Sequence, residues 1–365
     1  MSLARILATT WRENLLFSVL VELTYRCNLD CFFCYNDLRS RSEPLRREEY
    51  LQFFADLAEM EVLNLTLSGG EPLAHPDFLL LGARARELGF VVRVKSNGHA
   101  LRGELARRVR DEIDPFLVEV SLHGATAETH DRQTRVPGSF DRLLANLREA
   151  SALGLRLKLN STLTAWNEGE IGGMFALADS LGLPLQVDPE VTPRDDGDRT
   201  PLAVAPSREG VKRLFELQFE RGRTAERGAA PAEVARGGDD GTVPVPLHQH
   251  CGAGSAGIAV DPYGNVYPCV QWRRPVGNLH RQRIGEIWRE SAGLREVREL
   301  TVQAKDLVDG HGPGGALLNF CPGTAATSAG DPLRMYPTAL QRMEVLEETI
   351  AEEGKKKPLL PIVGQ

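Results

Sequence analysis

The chain has 365 residues, 42% of them hydrophobic, and its 43 Lys and Arg against 50 Asp and Glu leave a net charge of −7. That length sustains an α/β core without disulfides, and the composition excludes a disordered chain. The acidic balance removes the global basic charge that would advertise nucleic acid or an anionic membrane.

The first apolar run, residues 15–23, is interrupted by Ser18 and Glu22. It is too short to span a bilayer and lacks a small-residue cleavage site after it. It reads as a buried strand of a cytoplasmic protein, where thiols stay reduced. The six cysteines are then ligands, catalysts or plain core residues rather than a disulfide framework.

Two periods alternate after that strand. Tyr50, Phe53, Phe54 and Leu57 fall at helical spacing, and residues 62–67 read as strand. Pro76 opens a helix that stops at Gly89, followed by strands over 91–94 and 116–122. Ser139 is placed as the cap of a helix closed by Gly154, and a fifth strand covers 155–159. Asn167 and Glu170 resemble a capping box, and residues 184–187 form a short sixth strand. Strand, loop and helix repeated about six times specify a parallel α/β sheet, with the loops after the strands gathered at one end.

The repeat breaks after a helix at 211–219. Residues 221–248 read as a linker or mobile loop, and a hairpin follows at 257–267. Residues 309–315 are mostly glycine, and a charged helical tail starts at Pro337. The expected domains are 1–220, 249–330 around the later cysteines, and a tail over 331–365.

Cys27, Cys31 and Cys34 form CxxxCxxC immediately after the first strand. Three cysteines at this spacing could share one buried helix face, and zinc is a second reading. Structural zinc, however, takes four ligands, usually in two separated pairs. Three soft thiolates in one short loop suit an iron–sulfur cube with one iron left open to a non-protein ligand. Ser68-Gly69-Gly70-Glu71-Pro72 follows the second strand. Its glycines let backbone approach a ligand closely, and Glu71 can accept from an ammonium.

These motifs, with Ser96-Asn97-Gly98 and Ser121-Leu122-His123-Gly124 after the third and fourth strands, resemble the radical S-adenosylmethionine (SAM) enzymes over roughly residues 16–190. The resemblance implies a partial (β/α)6 TIM-like barrel in which Cys27, Cys31 and Cys34 hold a [4Fe–4S] cluster that binds SAM. It implies that Phe33 lies by the adenine, that Gly69, Gly70 and Glu71 meet the methionyl amine, and that Ser68, Ser96, Asn97 and Ser121 line the site. Arg135 is placed at the SAM carboxylate, although Thr134 stands where that arginine commonly sits. Asn160 and Thr162 are further candidates for the ribose or methionine.

Cys251, Cys269 and Cys321 account for the remaining cysteines, each beside Gly or Pro. The Gly264-x4-Cys269 spacing is similar to the opening of the iron–sulfur extensions called SPASM and twitch domains. No dense cysteine run separates Cys269 from Cys321, so one auxiliary [4Fe–4S] cluster held by three cysteines is expected. His250 is one option for its fourth ligand.

The resemblance implies oxidation or crosslinking of a peptide or protein side chain, with SAM consumed and a flavodoxin- or ferredoxin-type electron donor. About fifteen residues precede the first strand, so a leader-peptide-binding module is expected as a separate protein. Asp188, Glu190, Asp195 and Asp196 are candidates for a substrate-side base. Oxidation of a small biosynthetic intermediate is the alternative. A non-catalytic electron-transfer protein would explain the cysteines but not the Gly-Gly-Glu-Pro motif or the six-fold repeat.

Overall fold

The computed structural model describes residues 3–37, 42–228, 248–311 and 320–356. Nine strands form one sheet: β1 (Ser18–Glu22), β2 (Asn64–Ser68), β3 (Val91–Ser96), β4 (Leu117–Ser121), β5 (Leu157–Thr162), β6 (Leu185–Asp188), β7 (Gly257–Val260), β8 (Asn265–Tyr267) and β9 (Gly277–Asn278). Between and around them lie α1 (Leu3–Arg12), α2 (Arg47–Glu59), α3 (Phe78–Glu87), α4 (Gly103–Arg108), α5 (Ala127–Thr134), α6 (Ser139–Ala152), α7 (Ile171–Ser180), α8 (Arg208–Gly228), α9 (Ile284–Glu290), α10 (Ala292–Asp309), α11 (Pro322–Ala329) and α12 (Pro337–Lys356).

The sheet order is β6-β5-β4-β3-β2-β1-β7-β8-β9, and β1 to β6 are parallel neighbours in sequence order. Crossovers between successive parallel neighbours, right-handed as such connections are, put the connecting helices on the same face. Val19, Val21, Leu65, Leu67, Val92, Val94, Val118, Val120, Leu157 and Leu159 pack on that face in one core with Phe54, Leu81, Leu143 and Leu147. The alternate residues face the concave side of a partial barrel.

The hairpin expected from Asp261 to Asn265 is not free-standing. β7 pairs parallel with β1, Ser18 opposite Gly257, and carries β8 and β9 into the same sheet. Local turn residues specify a hairpin, but nothing local specifies which strand will accept its edge.

Several boundaries differ from expectation for identifiable reasons. Val62 donates to the Leu57 carbonyl, closing α2, so the second strand starts at Asn64. Gly138, at φ 74°, takes the cap position of α6. Ser139 instead bonds Asp131, whose carboxylate also accepts the Gly138 and Phe140 N–H groups. Asn167 and Glu170 make no capping box: Asn167 accepts from the Thr164 N–H, and Glu170 takes the N–H groups of Ala125 and Thr126. Helix α8 runs on to Gly228. The rest of the expected linker (229–247) and most of the glycine stretch (312–319) lie outside the described residues. Among the described residues, no helix is long and apolar enough to cross a membrane.

Candidate functional site

The CxxxCxxC segment leaves β1 and crosses the ends of the next strands. It is no helix face: two backbone bonds, Asp30 N–H to Thr134 O and Phe32 N–H to Gln133 O, hold it against the end of α5. The buried-helix reading of these cysteines therefore fails. Burial pushes the Cys27 thiol above its ordinary value and Cys31 far above it, and drives Cys34 up to about 11. Cys31 is also raised by the neighbouring Cys34 and Cys27. Thiols in such a place stay protonated unless a metal takes the proton's place, which fits ligands rather than free nucleophiles. Among the described residues, no three His, Cys, Asp or Glu side chains close around a single-ion point.

The two glycines after β2 serve a purpose the sequence did not reveal. A Cβ on Gly69, at φ +139°, would meet the Thr24 carbonyl oxygen at 2.3 Å. One on Gly70 would meet the carbonyls of Arg26 and Tyr25 at 2.6 and 2.7 Å. The loop thus packs backbone to backbone on the residues leading into Cys27, with Gly70 N–H to Thr24 O at 2.6 Å and Glu71 N–H to Arg26 O at 2.9 Å. Glu71 is almost fully buried, and its carboxylate accepts from Ser96 Oγ, Asn97 N–H and Leu73 N–H at 2.8, 2.7 and 3.0 Å. Burial holds that carboxyl above its ordinary range, against these three donors. Glu71 is therefore a strut between the β2 and β3 loops, already taken up by protein donors.

Asn97 reaches the first cysteine: its amide lies 3.6 Å from Cys27 Sγ and 2.8 Å from Asn28 Oδ1. Asn36 donates to the Gly69 carbonyl, and the Ser68 carbonyl accepts from Leu23. Phe33 meets His123 edge-on at 4.7 Å, with His123 pushed down to about 3 by burial and then by His130. Ser121 stands at the end of β4, directly opposite Asn160 in register. Arg135 does not project into this group. Its guanidinium donates to Asp30 at 3.1 Å and covers the Phe32 ring at 4.6 Å, so it clamps the cysteine loop from outside. Thr134 is buried, bonded to Ser139.

The second triad lies at the other end of the sheet. β8 runs antiparallel to β7, so Cys269, two residues beyond it, sits where β1 and β7 begin, and Cys251 precedes β7. Cys321 caps α11, and both other thiols sense its charge. Burial raises Cys251 to about 11 and Cys269 to about 12. These three also fit metal ligands on the thiol chemistry given above. His250 is turned away from that role: its Nε2 lies 2.6 Å from the Phe320 carbonyl oxygen.

A residue that no sequence motif marks joins the two ends. Arg273, four residues after Cys269, pairs with Glu22 at 2.9 and 2.7 Å, and its Nε lies 3.0 Å from Asp195. Tyr25 and Tyr35 also donate to Glu22. Burial raises Asp195 to about 7 despite the guanidinium. Of the other acidic candidates, Glu190 is bound by Arg342 and Thr338 of α12, and Asp188 accepts from the Glu190 N–H.

Two family models match the chain: the Radical SAM superfamily over residues 21–178, and the SPASM iron–sulfur cluster-binding domain over 251–309. The AdoMet-dependent heme synthase of Methanosarcina barkeri is 28% identical over 76% of this chain and 83% of its own. The mycofactocin maturase MftC of Mycobacterium tuberculosis is 30% identical over 76% and 71%. The PqqA peptide cyclase of Rhizobium meliloti is 29% identical over 77% and 76%. In fold, the chain is similar to anSMEcpe crystallised with AdoMet and the Kp18Cys peptide, with TM-score 0.69, 14% identity, and 93% and 98% of the two chains covered.

Proposed function

The chain belongs to the radical SAM superfamily and carries a SPASM-type iron–sulfur domain, and on that premise we propose that it oxidises or crosslinks a side chain of a peptide or protein. Radical SAM and SPASM members bind SAM and iron–sulfur clusters. Cys27, Cys31 and Cys34 are the residues we place on the SAM-binding cluster, and Cys251, Cys269 and Cys321 on a single auxiliary one. When bound, the reduced cluster and SAM supply homolysis to methionine and a 5′-deoxyadenosyl radical.

The observation that carries this reading is the placement of two thiol triads at opposite ends of one sheet, with a polar concave face between them. The protein's own part is positional. The Gly69-Gly70-Glu71 loop fixes the chain into Cys27, Asn97 orients that thiol, and Phe33 with His123 gives an apolar wall for an adenine. Arg135 and Asp30 hold the cysteine loop shut from outside. Asp195, beside Arg273, is the carboxylate we place as acceptor of the proton when a substrate loses a second hydrogen, with the accompanying electron left to an auxiliary cluster on Cys251, Cys269 and Cys321.

The relatives named for a peptide cyclase and a maturase support the peptide substrate. The heme synthase relative supports a small biosynthetic intermediate as a second reading. A flavodoxin- or ferredoxin-type donor and a separate leader-binding protein complete the scheme. The test is anaerobic incubation of reconstituted protein with SAM, dithionite and a synthetic peptide library. A peptide lighter by two hydrogens, formed together with 5′-deoxyadenosine, is the expected result. Release of 5′-deoxyadenosine with no peptide changed in mass would overturn the oxidation. Iron near eight per chain is expected for two cubes; about four would remove the auxiliary cluster.

A further inference from the structure

Strands of a parallel sheet are normally apolar on both faces, and closed barrels of this kind fill the interior with branched aliphatic side chains. Apart from the Glu22–Arg273 pair, the concave face here departs from that rule along β3, β4 and β5. Lys95 of β3, Glu119 of β4 and Lys158 of β5 are direct neighbours in register, and Arg93 lies one residue pair below Lys95. Their partners in alternation, Val92, Val94, Val118, Val120, Leu157 and Leu159, all pack against the helices, so these four charges point into the barrel.

Three cations share one carboxylate. Glu119 takes Lys95 Nζ at 3.0 Å and lies 3.5 Å from Arg93 Nε, while Asn160 donates to it at 2.6 Å. Lys158 is left to a neutral partner, Gln186 Oε1, at 2.5 Å. Burial lowers the Lys158 ammonium; the Glu119 carboxylate opposes that in part, while Lys95 and Arg93 lower it further. Arg93 Nε and Asn160 Oδ1 are buried atoms with no hydrogen-bond partner. The cluster nevertheless opens to solvent, with Lys95 43% and Arg93 33% exposed at the side chain against 10% for Glu119. Unbalanced positive charge, an orphaned donor and an open approach are what an anion site presents before its ligand arrives.

The site's height is also informative. Ser121 and Asn160 stand opposite each other one alternation above Glu119 and Lys158, a rise of about 7 Å along the strands. An anion held on the lysines would therefore lie within the barrel, below the loops where Ser121 and Asn160 end.

We propose that Lys95 and Lys158, with Arg93 behind them, bind a carboxylate of the substrate peptide, and that Glu119 holds these cations in place until that carboxylate displaces it. The carboxylate is either an acidic side chain or the peptide's own C-terminus. This deepens the proposed function and rests on it for the peptide, but the anion site itself is read from the barrel wall alone. It sets specificity: a peptide with no carboxylate at the right distance from the reacting side chain leaves three cations underpaired.

The test is equilibrium binding by titration calorimetry on the reconstituted full-length protein, without SAM or reductant. The probes are N-acetylglutamate α-amide, for a side-chain carboxylate, and N-acetylalanine, for a chain terminus, each against its carboxamide analogue. At least one carboxylate is expected to bind about tenfold tighter than its amide, and the better probe names the source. Lys95→Gln and Lys158→Gln, on separate strands, should each erase that preference, and Lys95→Arg should retain it. Glu119→Gln should tighten the carboxylate severalfold, because the competing internal anion is gone; a structural strut would give the opposite sign. Equal binding of acids and amides, no binding by any probe, or weaker binding in Glu119→Gln overturns the proposal. The two readings fail separately. Wild-type protein that releases no 5′-deoxyadenosine defeats the catalytic reading and leaves the binding preference standing. Peptide oxidation with indifferent lysines defeats this inference alone.

Discussion

Arg273 and Glu22, 251 positions apart in sequence, form a two-pronged ion pair in which Glu22 is fully buried and Arg273 is 8% exposed. It ties the segment after Cys269 to the last residue of β1, five positions before Cys27. The pair thus spans from the auxiliary thiols toward the SAM-site thiols, and Asp195 and two tyrosines complete its shell.

Removing one partner strands a charge in the interior. Arg273→Gln or Glu22→Gln should each cost about 3–5 kcal/mol, and the double substitution should recover a large part of that. Chemical denaturation of the four proteins in a double-mutant cycle measures it. Additive losses would mean the pair is not coupled.

Gly70→Ala drives a methyl into two backbone carbonyls that have no side chain to move aside. SAM affinity, read by equilibrium dialysis, should drop tenfold or more, with iron lost from the first cluster before the second. Wild-type SAM binding in this variant would show that the loop can retreat from residues 25 and 26 at no cost.

His250 caps the Phe320 carbonyl. His250→Ala should leave the iron content per chain unchanged while lowering stability by about 1–2 kcal/mol. A loss of iron would instead make His250 a ligand.

Glu49 and His280 join α2 to the turn after β9 at 2.8 Å. Partial burial opposes ionisation of both. Bonds from Arg46 and His280 nevertheless hold Glu49 down from 4.5 to about 2, and bonds to Glu49 and the Glu43 carbonyl hold His280 above 6.5. The Glu49 contribution is present above pH 4.5 and fades as pH falls toward 2. The His280 contribution is complete below pH 6.5 and fades as pH rises through its elevated folded value. Thermal melts across pH should therefore show a loss on the alkaline side, roughly 0.5–1 kcal/mol for so exposed a pair. His280→Gln should flatten that side and leave part of the acid side, which Arg46 still supports.

The strands and the first cysteine motif were legible because each depends on residues close together in the chain. β1 to β6 follow from apolar runs, and CxxxCxxC follows from spacing. Element ends were less legible. Ser139 and Asn167 have the side chains of caps, yet both are drawn off by groups the fold brings up: Asp131 for one, and Thr164 with the His123 carbonyl for the other. Glu71 and Arg135 were placed at a ligand by resemblance of their motifs; in the fold each also has protein partners, which no local motif records.

The sequence alone determined the chemistry class. CxxxCxxC, with Gly-Gly-Glu-Pro after the second strand, requires only short-range spacing, and spacing survives in any tertiary arrangement. The tertiary structure decided what lies between the two triads. The pairing of β7 with β1 put the triads at opposite ends of one sheet, Arg273 met Glu22 across 251 positions, and the register of β3, β4 and β5 set three cations around Glu119. Register and edge pairing are won by the summed burial of whole strands, and no local residue pattern records the outcome.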